Sequence, residues 1–203
     1  MQEVFKTYFR HKSIIIYYLI AISLCAYLIK SGALVKYFYT FIALILAPIF
    51  EWIVHKYFLH INFKFKNKYL KNFFYKVHEG HHEYPSDKEL VFAPFIIGIS
   101  VPLIFLGIGF GITKNIELSL TLAFYSLCYY CYYEWIHLAH HTESYIPITK
   151  RGKILKKHHT YHHFKNENYW WGVTTILGDI ILKTNPKQNK IKRSGNTKNI
   201  FQI

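Results

Sequence analysis

Residues 13–29 and 90–112 of this chain carry no charged side chain over seventeen and twenty-three positions. A helix needs about twenty apolar residues to cross a bilayer core, with about seventeen as the lower limit. Two further runs follow the same pattern. Residues 34–50 hold only Lys36, near the start, and residues 116–135 hold only Glu117 and Glu134, near the ends. One such run would equally suit a buried helix of a water-soluble domain. Four of them in 203 residues leave too little polar surface to cover them. The links, residues 30–33 and 113–115, are long enough only for turns. The sequence therefore predicts an all-α, polytopic membrane protein with four transmembrane helices paired as two hairpins.

The net charge of +14 invites a nucleic-acid reading, but charge and apolar sequence are segregated. Only Lys30, Lys36 and Lys114 flank the two turns; the other twenty-two Lys and Arg lie in the N-terminal arm, residues 56–88 and residues 150–198. The positive-inside rule places those segments in the cytoplasm. The basic surface then faces anionic lipid headgroups, and no nucleic acid is expected as a partner. Trp52, Tyr57, Tyr129, Tyr130, Tyr132, Tyr133 and Trp135 cluster where helices would leave the lipid, as an interfacial belt does. Cys25, Cys128 and Cys131 all sit in apolar runs, which argues against a disulfide framework. The N-terminus has the charge of a signal peptide. Tyr27 and Lys30 stand where small cleavage-site residues would be needed, so the first run is expected to be retained. Residues 1–182 are expected to form one membrane-embedded domain, and residues 183–203 a basic polar tail.

Thirteen histidines are present, twelve of them between His55 and His163. They fall into four clusters on the same predicted side: His55/His60, His78/His81/His82, His137/His141 with His140, and His159/His162/His163 with His158. Residues three and four apart share a helix face, so the last three clusters each aim two or three imidazoles one way. His55 and His60 are about 140° apart on an ideal helix and converge only if the helix ends or bends between them. Neutral imidazole is the commonest metal ligand at neutral pH. Ten imidazoles exceed the needs of one ion, so two metals are expected, and an all-nitrogen set suits Zn, Fe, Cu or Ni rather than Mg or Ca. A lone histidine is usually a surface or satisfied core residue, and His11 and His140 are read that way. His158 is ambiguous, since His159 is better placed relative to His162. Glu51, Glu134 and Asp179 are candidates to orient the rings by hydrogen bonds.

His78-Glu-Gly-His81-His82 also satisfies the H-E-x-x-H motif of zinc metalloproteases, with Glu79 as general base. That reading leaves His81 and the related spacing at His159/His162/His163 unexplained.

Over residues 45–182 the sequence resembles the fatty acid hydroxylase / sterol desaturase superfamily of integral-membrane di-metal oxygenases. The order H-x4-H, H-x2-HH, H-x3-H, H-x2-HH is that superfamily's signature, and the ten histidines supply it. The flanks are similar to the catalytic domain of fatty acid 2-hydroxylases. Phe50-Glu51-Trp52 leads into the first box. Pro85-x-Asp87-x-x-Leu90-Val91-Phe92-x-Pro94 follows the second. Tyr133-Glu134 precedes the third, and Trp171-Gly172-Val173-Thr174-Thr175 with Asp179 follows the fourth. Glu134 stands where that branch often has Asp.

The resemblance implies four membrane helices beneath a cytoplasmic helical cap that carries a di-metal site. It implies His55, His60, His78, His81, His82, His137, His141, His159, His162 and His163 as ligands of two iron ions, although zinc can occupy such a site in a recombinant protein. The implied activity is O2-dependent hydroxylation of a lipid C–H bond, most simply at the 2-position of a fatty acyl chain. A sterol or carotenoid oxygenase or desaturase of the same superfamily is the alternative. Phe92 to Phe95 and Trp170 to Trp171 are candidates to line an acyl slot. The chain starts twelve residues before Ser13, which is too short for a fused cytochrome b5 domain. A separate cytochrome b5- or ferredoxin-like donor, and a bacterial inner membrane, are therefore expected.

Overall fold

The computed structural model describes residues 1–61, 66–195 and 197, and these residues form helices and turns with no β-strand among them. Residues 196 and 198–203, the end of the expected tail, lie outside the described residues. The chain opens with α1 (Gln2–Arg10) and α2 (Lys12–Lys30), separated by the extended backbone of His11 at φ −72° and ψ 124°. The second apolar run is not one helix from its start. α3 (Ala33–Lys36) stops at Tyr37, and a 3-10 turn (Phe38–Phe41) leads into α4 (Ile42–Val54) and a π-helical turn (His55–Leu59). Packing imposes that break. Tyr37 is buried with Leu28 and Ala33, and its hydroxyl accepts from Asn115 Nδ2 at 2.7 Å.

Short elements follow: α5 (Lys68–Phe74), a second π-helical turn (Tyr75–Glu79), α6 (Gly80–Glu83) and α7 (Lys88–Val91). Side chains of Asn67 and Asp87 accept from the first free N–H groups of α5 and α7, which starts each helix at its observed residue. The long helices α8 (Phe95–Thr113) and α9 (Ile116–His141) come next, then α10 (Lys150–Phe164), capped by Thr149, and α11 (Leu177–Ile181).

Among the described residues, three helical stretches are long and apolar enough to cross a membrane: Lys12–Lys30, Phe38–Leu59 and Lys88–Thr113. The fourth expected span, within α9, is 26 residues long but is not among them. Its serines and threonine are buried. Ser119 and Thr121 are fully buried, and each hydroxyl donates to the carbonyl four residues earlier, at 2.6 and 2.8 Å. Hydroxyls satisfied in this way lower the hydropathy of α9 without exposing a polar group.

The chain divides into two compact units. One comprises Phe5–Ala47 and Pro94–Trp135. Its core is aromatic and hydrogen-bonded: Tyr8 donates to the Cys131 carbonyl at 2.6 Å, and Tyr17 donates to the Phe95 carbonyl at 2.9 Å while stacking on the Phe95 ring. Gly98 makes room for this, since a Cβ there would lie 2.2 Å from the Tyr17 hydroxyl. The other unit comprises Met1–Val4, Pro48–Ala93 and Ile136–Ile203, and holds all four histidine clusters. Cys25, Cys128 and Cys131 are free thiols.

The residues expected to form an interfacial belt differ in exposure. Tyr57 and Tyr132 are half exposed, but Trp52 is 2% exposed and Tyr130 is 8% exposed. Gly98→Ala is expected to destabilise the first unit by about 1–3 kcal/mol, because Tyr17 is held by its hydrogen bond and cannot withdraw freely. A thermal midpoint in detergent equal to the parent protein's would contradict that packing.

Candidate metal centre

The ten box histidines meet in the second unit as two groups of five, with ligand atoms in each group within 4.8 Å of one another. His55, His60, His78, His82 and His162 form one group; His81, His137, His141, His159 and His163 form the other. Local backbone explains how each ring arrives. The turn from His55 to Leu59 is π-helical, with hydrogen bonds spanning five residues instead of four. That wider turn brings His60 around to the face of His55, and their ring centroids are 5.2 Å apart. A second π-helical turn, Tyr75–Glu79, carries His78, the first ring of the second box.

The H-x2-HH spacing divides its rings instead of aiming all three one way. His78 and His82, four apart, enter one group, and His81 enters the other. On α10, His159 and His163, four apart, enter the second group, and His162 enters the first. Adjacent residues diverge by about 100° on a helix, which forces this split. The two groups adjoin where His82 and His163 stack with centroids 4.0 Å apart.

Backbone carbonyls set the tautomers. His55 Nδ1 donates to the Trp171 carbonyl at 2.5 Å, and His162 Nδ1 donates to the Tyr169 carbonyl at 2.9 Å. Both rings then present Nε2 as a lone pair. The His55 Nε2 lies 3.1 Å from His78 Nε2, which lies 3.0 Å from His60 Nε2, and His60 Nε2 lies 3.2 Å from His162 Nε2. In the second group His141 Nε2 lies 2.7 Å from His159 Nε2, and the His141 ring is hydrogen-bonded to the backbone of Pro85. Nitrogens adjacent on one ion, each at about 2.0–2.1 Å from it, are about 3 Å apart. The Trp171 ring packs edge-on against His55 and His60 and tilted against His162, and only 4% of Trp171 is exposed, so it shields that group from water.

The carboxylates act one step further out than expected. Asp179 is fully buried and accepts from the Trp171 N–H at 2.9 Å, the Gly172 N–H at 2.8 Å, the Trp52 indole at 3.0 Å and the Thr184 hydroxyl at 2.6 Å. Glu51 accepts from the Val173 and Thr174 N–H groups at 2.7 and 3.1 Å and from the Thr174 hydroxyl at 2.6 Å. Both pin the loop that carries the Trp171 carbonyl, and through it they position His55. Thr184 and the carbonyls of Tyr169, Trp171 and Pro85 have no signal in a motif reading, because they act through fold-dependent contacts. Glu134 is buried and accepts from the Tyr130 hydroxyl, in the first unit. His140 is buried outside both groups; His158 and His11 also fall outside them. Glu79 is exposed while His78 and His82 are drawn into a five-nitrogen group, so Glu79 is not placed to serve as the base of a zinc protease.

Burial holds the rings neutral. It lowers His60 to about 2, helped by the nearby His55, and His141 to about 3. Burial is also the first cause that keeps His78, His81, His82, His137, His159, His162 and His163 well below 6.5, with neighbouring imidazoles adding to it. Both ring nitrogens of His81 and of His163 lack a hydrogen-bond partner although each residue is 1% exposed. A buried donor or acceptor left alone costs about 1–3 kcal/mol. Neutral lone pairs converging at these distances fit a metal ion in each group, and an all-imidazole set suits a first-row transition ion.

The sequence model of the fatty acid hydroxylase family matches residues 40–184. The chain belongs to that family. A dihydroceramide fatty acyl 2-hydroxylase of Arabidopsis thaliana is 31% identical over 138 residues, 68% of this chain and 56% of that protein. This family member thus spans little more than half the length of that relative. The solved structure of full-length Scs7p, in which only the hydroxylase domain is visible, superposes with a TM-score of 0.70 over 88% of this chain and 69% of that one, at 18% identity. The two share a fold.

Asp179→Ala leaves the Trp171 and Gly172 N–H groups and the Thr184 hydroxyl without their acceptor, while the Trp52 indole keeps Thr184, and is expected to cost about 3 kcal/mol or more. Asp179→Asn, which can keep the three bonds to Oδ1, should be milder. Thermal midpoints together with metal content by mass spectrometry check both, and equal behaviour of the two variants would refute the role given to Asp179. Protonation offers a second check. Rings whose folded pKa is depressed bind more protons when unfolded, so they contribute stability above about 6.5 that is lost as the pH falls toward their folded values. The metal-stripped protein is expected to melt at progressively lower temperature from pH 7 to pH 5; a flat profile would contradict neutral buried rings.

Proposed function

We propose that this chain is an integral-membrane di-iron oxygenase that hydroxylates a lipid C–H bond, in the first instance at the 2-position of a fatty acyl chain. The observation that carries the proposal is the pairing of two adjoining five-imidazole groups in a chain of the fatty acid hydroxylase family. All ten histidines are assigned as ligands, five to each ion. Bound iron would supply the redox chemistry that lets O2 attack an unactivated C–H bond, which zinc lacks. The protein's own part is positional. His55 and His162 are held in one tautomer by loop carbonyls, Asp179 and Glu51 hold that loop, and burial keeps water and protons from the rings. The deep burial of His81, His159, His162 and His163 also suits a dry site, where electrostatic interactions are strong.

In this reading α9 is the fourth span beside the three apolar ones, and the histidine groups face the cytoplasm of a bacterial inner membrane. The basic residue distribution supports that orientation. The 2-hydroxylase named above supports the acyl substrate. Two electrons come from a separate cytochrome b5- or ferredoxin-like protein.

The test is mass spectrometry of hydrolysed fatty acids from iron-supplied cells that express the chain with a compatible donor. The comparison is a His81→Ala/His82→Ala variant, which removes one ligand from each group. A hydroxy acid formed only by the parent chain is expected, and its fragmentation locates the hydroxyl. Glu79→Gln should form the same product at the parent rate. Hydroxylated sterol or carotenoid in place of hydroxy acid would reassign the substrate, and no oxidised lipid of any class would overturn the proposal.

A further inference from the structure

A crevice of about 330 Å3 opens between α10 and the segment that follows α11, with Lys157, His158, Tyr161, Trp170, Lys187 and Gln188 among its lining residues. Its rim is basic. Between residues 150 and 195 there are eleven Lys and Arg against two carboxylates, Glu167 and Asp179. Asp179 is fully buried and Glu167 accepts from the Ser194 hydroxyl, and two carboxylates against eleven cations leave the rim strongly basic. Lys150, Arg151, Lys153, Lys157, Lys187 and Lys190 are all exposed.

The crevice leads to the metal centre. Trp170 lines it and is itself 1% exposed, with its ring 5.2 Å from that of Tyr161. It occupies the left-handed backbone region at φ 57°, which a non-glycine residue adopts only when its surroundings hold it there. Its N–H donates to the Thr184 carbonyl at 3.0 Å. On either side of it stand the two carbonyls that fix the first histidine group: Tyr169 accepts from His162, and Trp171 accepts from His55. An indole reached from the crevice is thus one peptide unit and one hydrogen bond from a ligand ring.

We infer that this crevice is the docking site of an acidic one-electron carrier protein, with Trp170 as the entry to the group that contains His55 and His162. The inference rests on the oxygenase reading above. Hydroxylation converts R–H, O2, two electrons and two protons into R–OH and water. Two reduced carriers, each losing one electron, supply the electrons. Charge complementarity steers such an encounter. A bilayer surface would use the basic rim equally well, but it has no need of an aromatic floor joined to the ligand-bearing loop.

The experiment uses the full iron-loaded chain in detergent micelles, with a soluble acidic cytochrome b5 haem domain as the probe. Lys157→Glu/Lys187→Glu is compared with Lys68→Glu/Lys71→Glu, which makes the same charge change at exposed positions of α5. Equilibrium binding of the oxidised probe and anaerobic reoxidation of the reduced haem are the two readouts. The crevice variant is expected to bind about tenfold more weakly and to lose most of the salt dependence. The control should follow the parent, and dithionite should reduce all of them alike. Trp170→Leu should bind normally but accept electrons more slowly. Equal losses in the two charge-reversed variants, or unchanged binding in the crevice variant, would overturn the docking site. An unchanged electron-transfer rate in Trp170→Leu would overturn the entry route. A parent chain that takes electrons through the crevice yet hydroxylates no lipid would support the docking site while refuting the oxygenase reading. Hydroxylation driven by dithionite, without binding of the probe, would do the reverse.

Discussion

Neutral imidazoles with bare nitrogens turned toward one another repel, and ten of them here are brought into two adjoining groups. Each ring in such a group needs an external constraint that points it inward and keeps it unprotonated. Most of the second unit can be understood as supplying that constraint. The π-helical turns set the angular positions of the first two boxes, α10 sets those of the last, and the loop after α10 sets the tautomers of His55 and His162. Burial does the rest, because an imidazolium cannot be solvated there.

The placement of the acidic residues follows the same logic. A carboxylate against a histidine ring would favour the charged imidazolium, whereas a carbonyl orients the ring with a weaker pull on its proton. Glu51 and Asp179 are spent on backbone N–H groups and on the hydroxyls of Thr174 and Thr184. Their charge is dispersed over several donors, and what reaches the rings is geometry. Gly172 belongs to this arrangement: a Cβ at that position would lie 2.0 Å from the Thr175 carbonyl oxygen and 3.1 Å from the Asp179 carboxylate. The tight loop that wraps Asp179 therefore has no room for a side chain there.

Much of this was legible in the sequence, and the parts that were not have identifiable causes. The four boxes and their ten residues stand out because histidine is rare and helical spacing is simple. The need for a distortion between His55 and His60 followed from their five-residue separation, but its form, a π-helical turn, required the backbone. The division of each H-x2-HH box between the two groups was implicit in the helical phase, yet partners for each ring depend on how distant segments pack. Three spans are evident from composition; α9 is less apolar because five tyrosines, Glu117, Ser119 and Thr121 interrupt its apolar residues. Trp52 looked like a lipid-interface residue until its indole was seen to donate to Asp179 and Thr184, more than a hundred positions away in the chain. Backbone carbonyls that receive ring hydrogens leave no trace in residue identity.

The interleaving of the boxes has a topological consequence. One group joins residues 102 positions apart, His60 and His162, and each of the H-x2-HH boxes sends rings into both groups. A metal ion held by such a set closes several long loops at once and removes their freedom from the unfolded chain, as a covalent staple does. All three cysteines are free thiols. In a chain whose boxes are shared in this way, filling one group organises segments that the other also needs. An ion in each group would be coupled to the other as a pair of knots tied in the same cord, and the order in which they were tied would become part of how the protein matures.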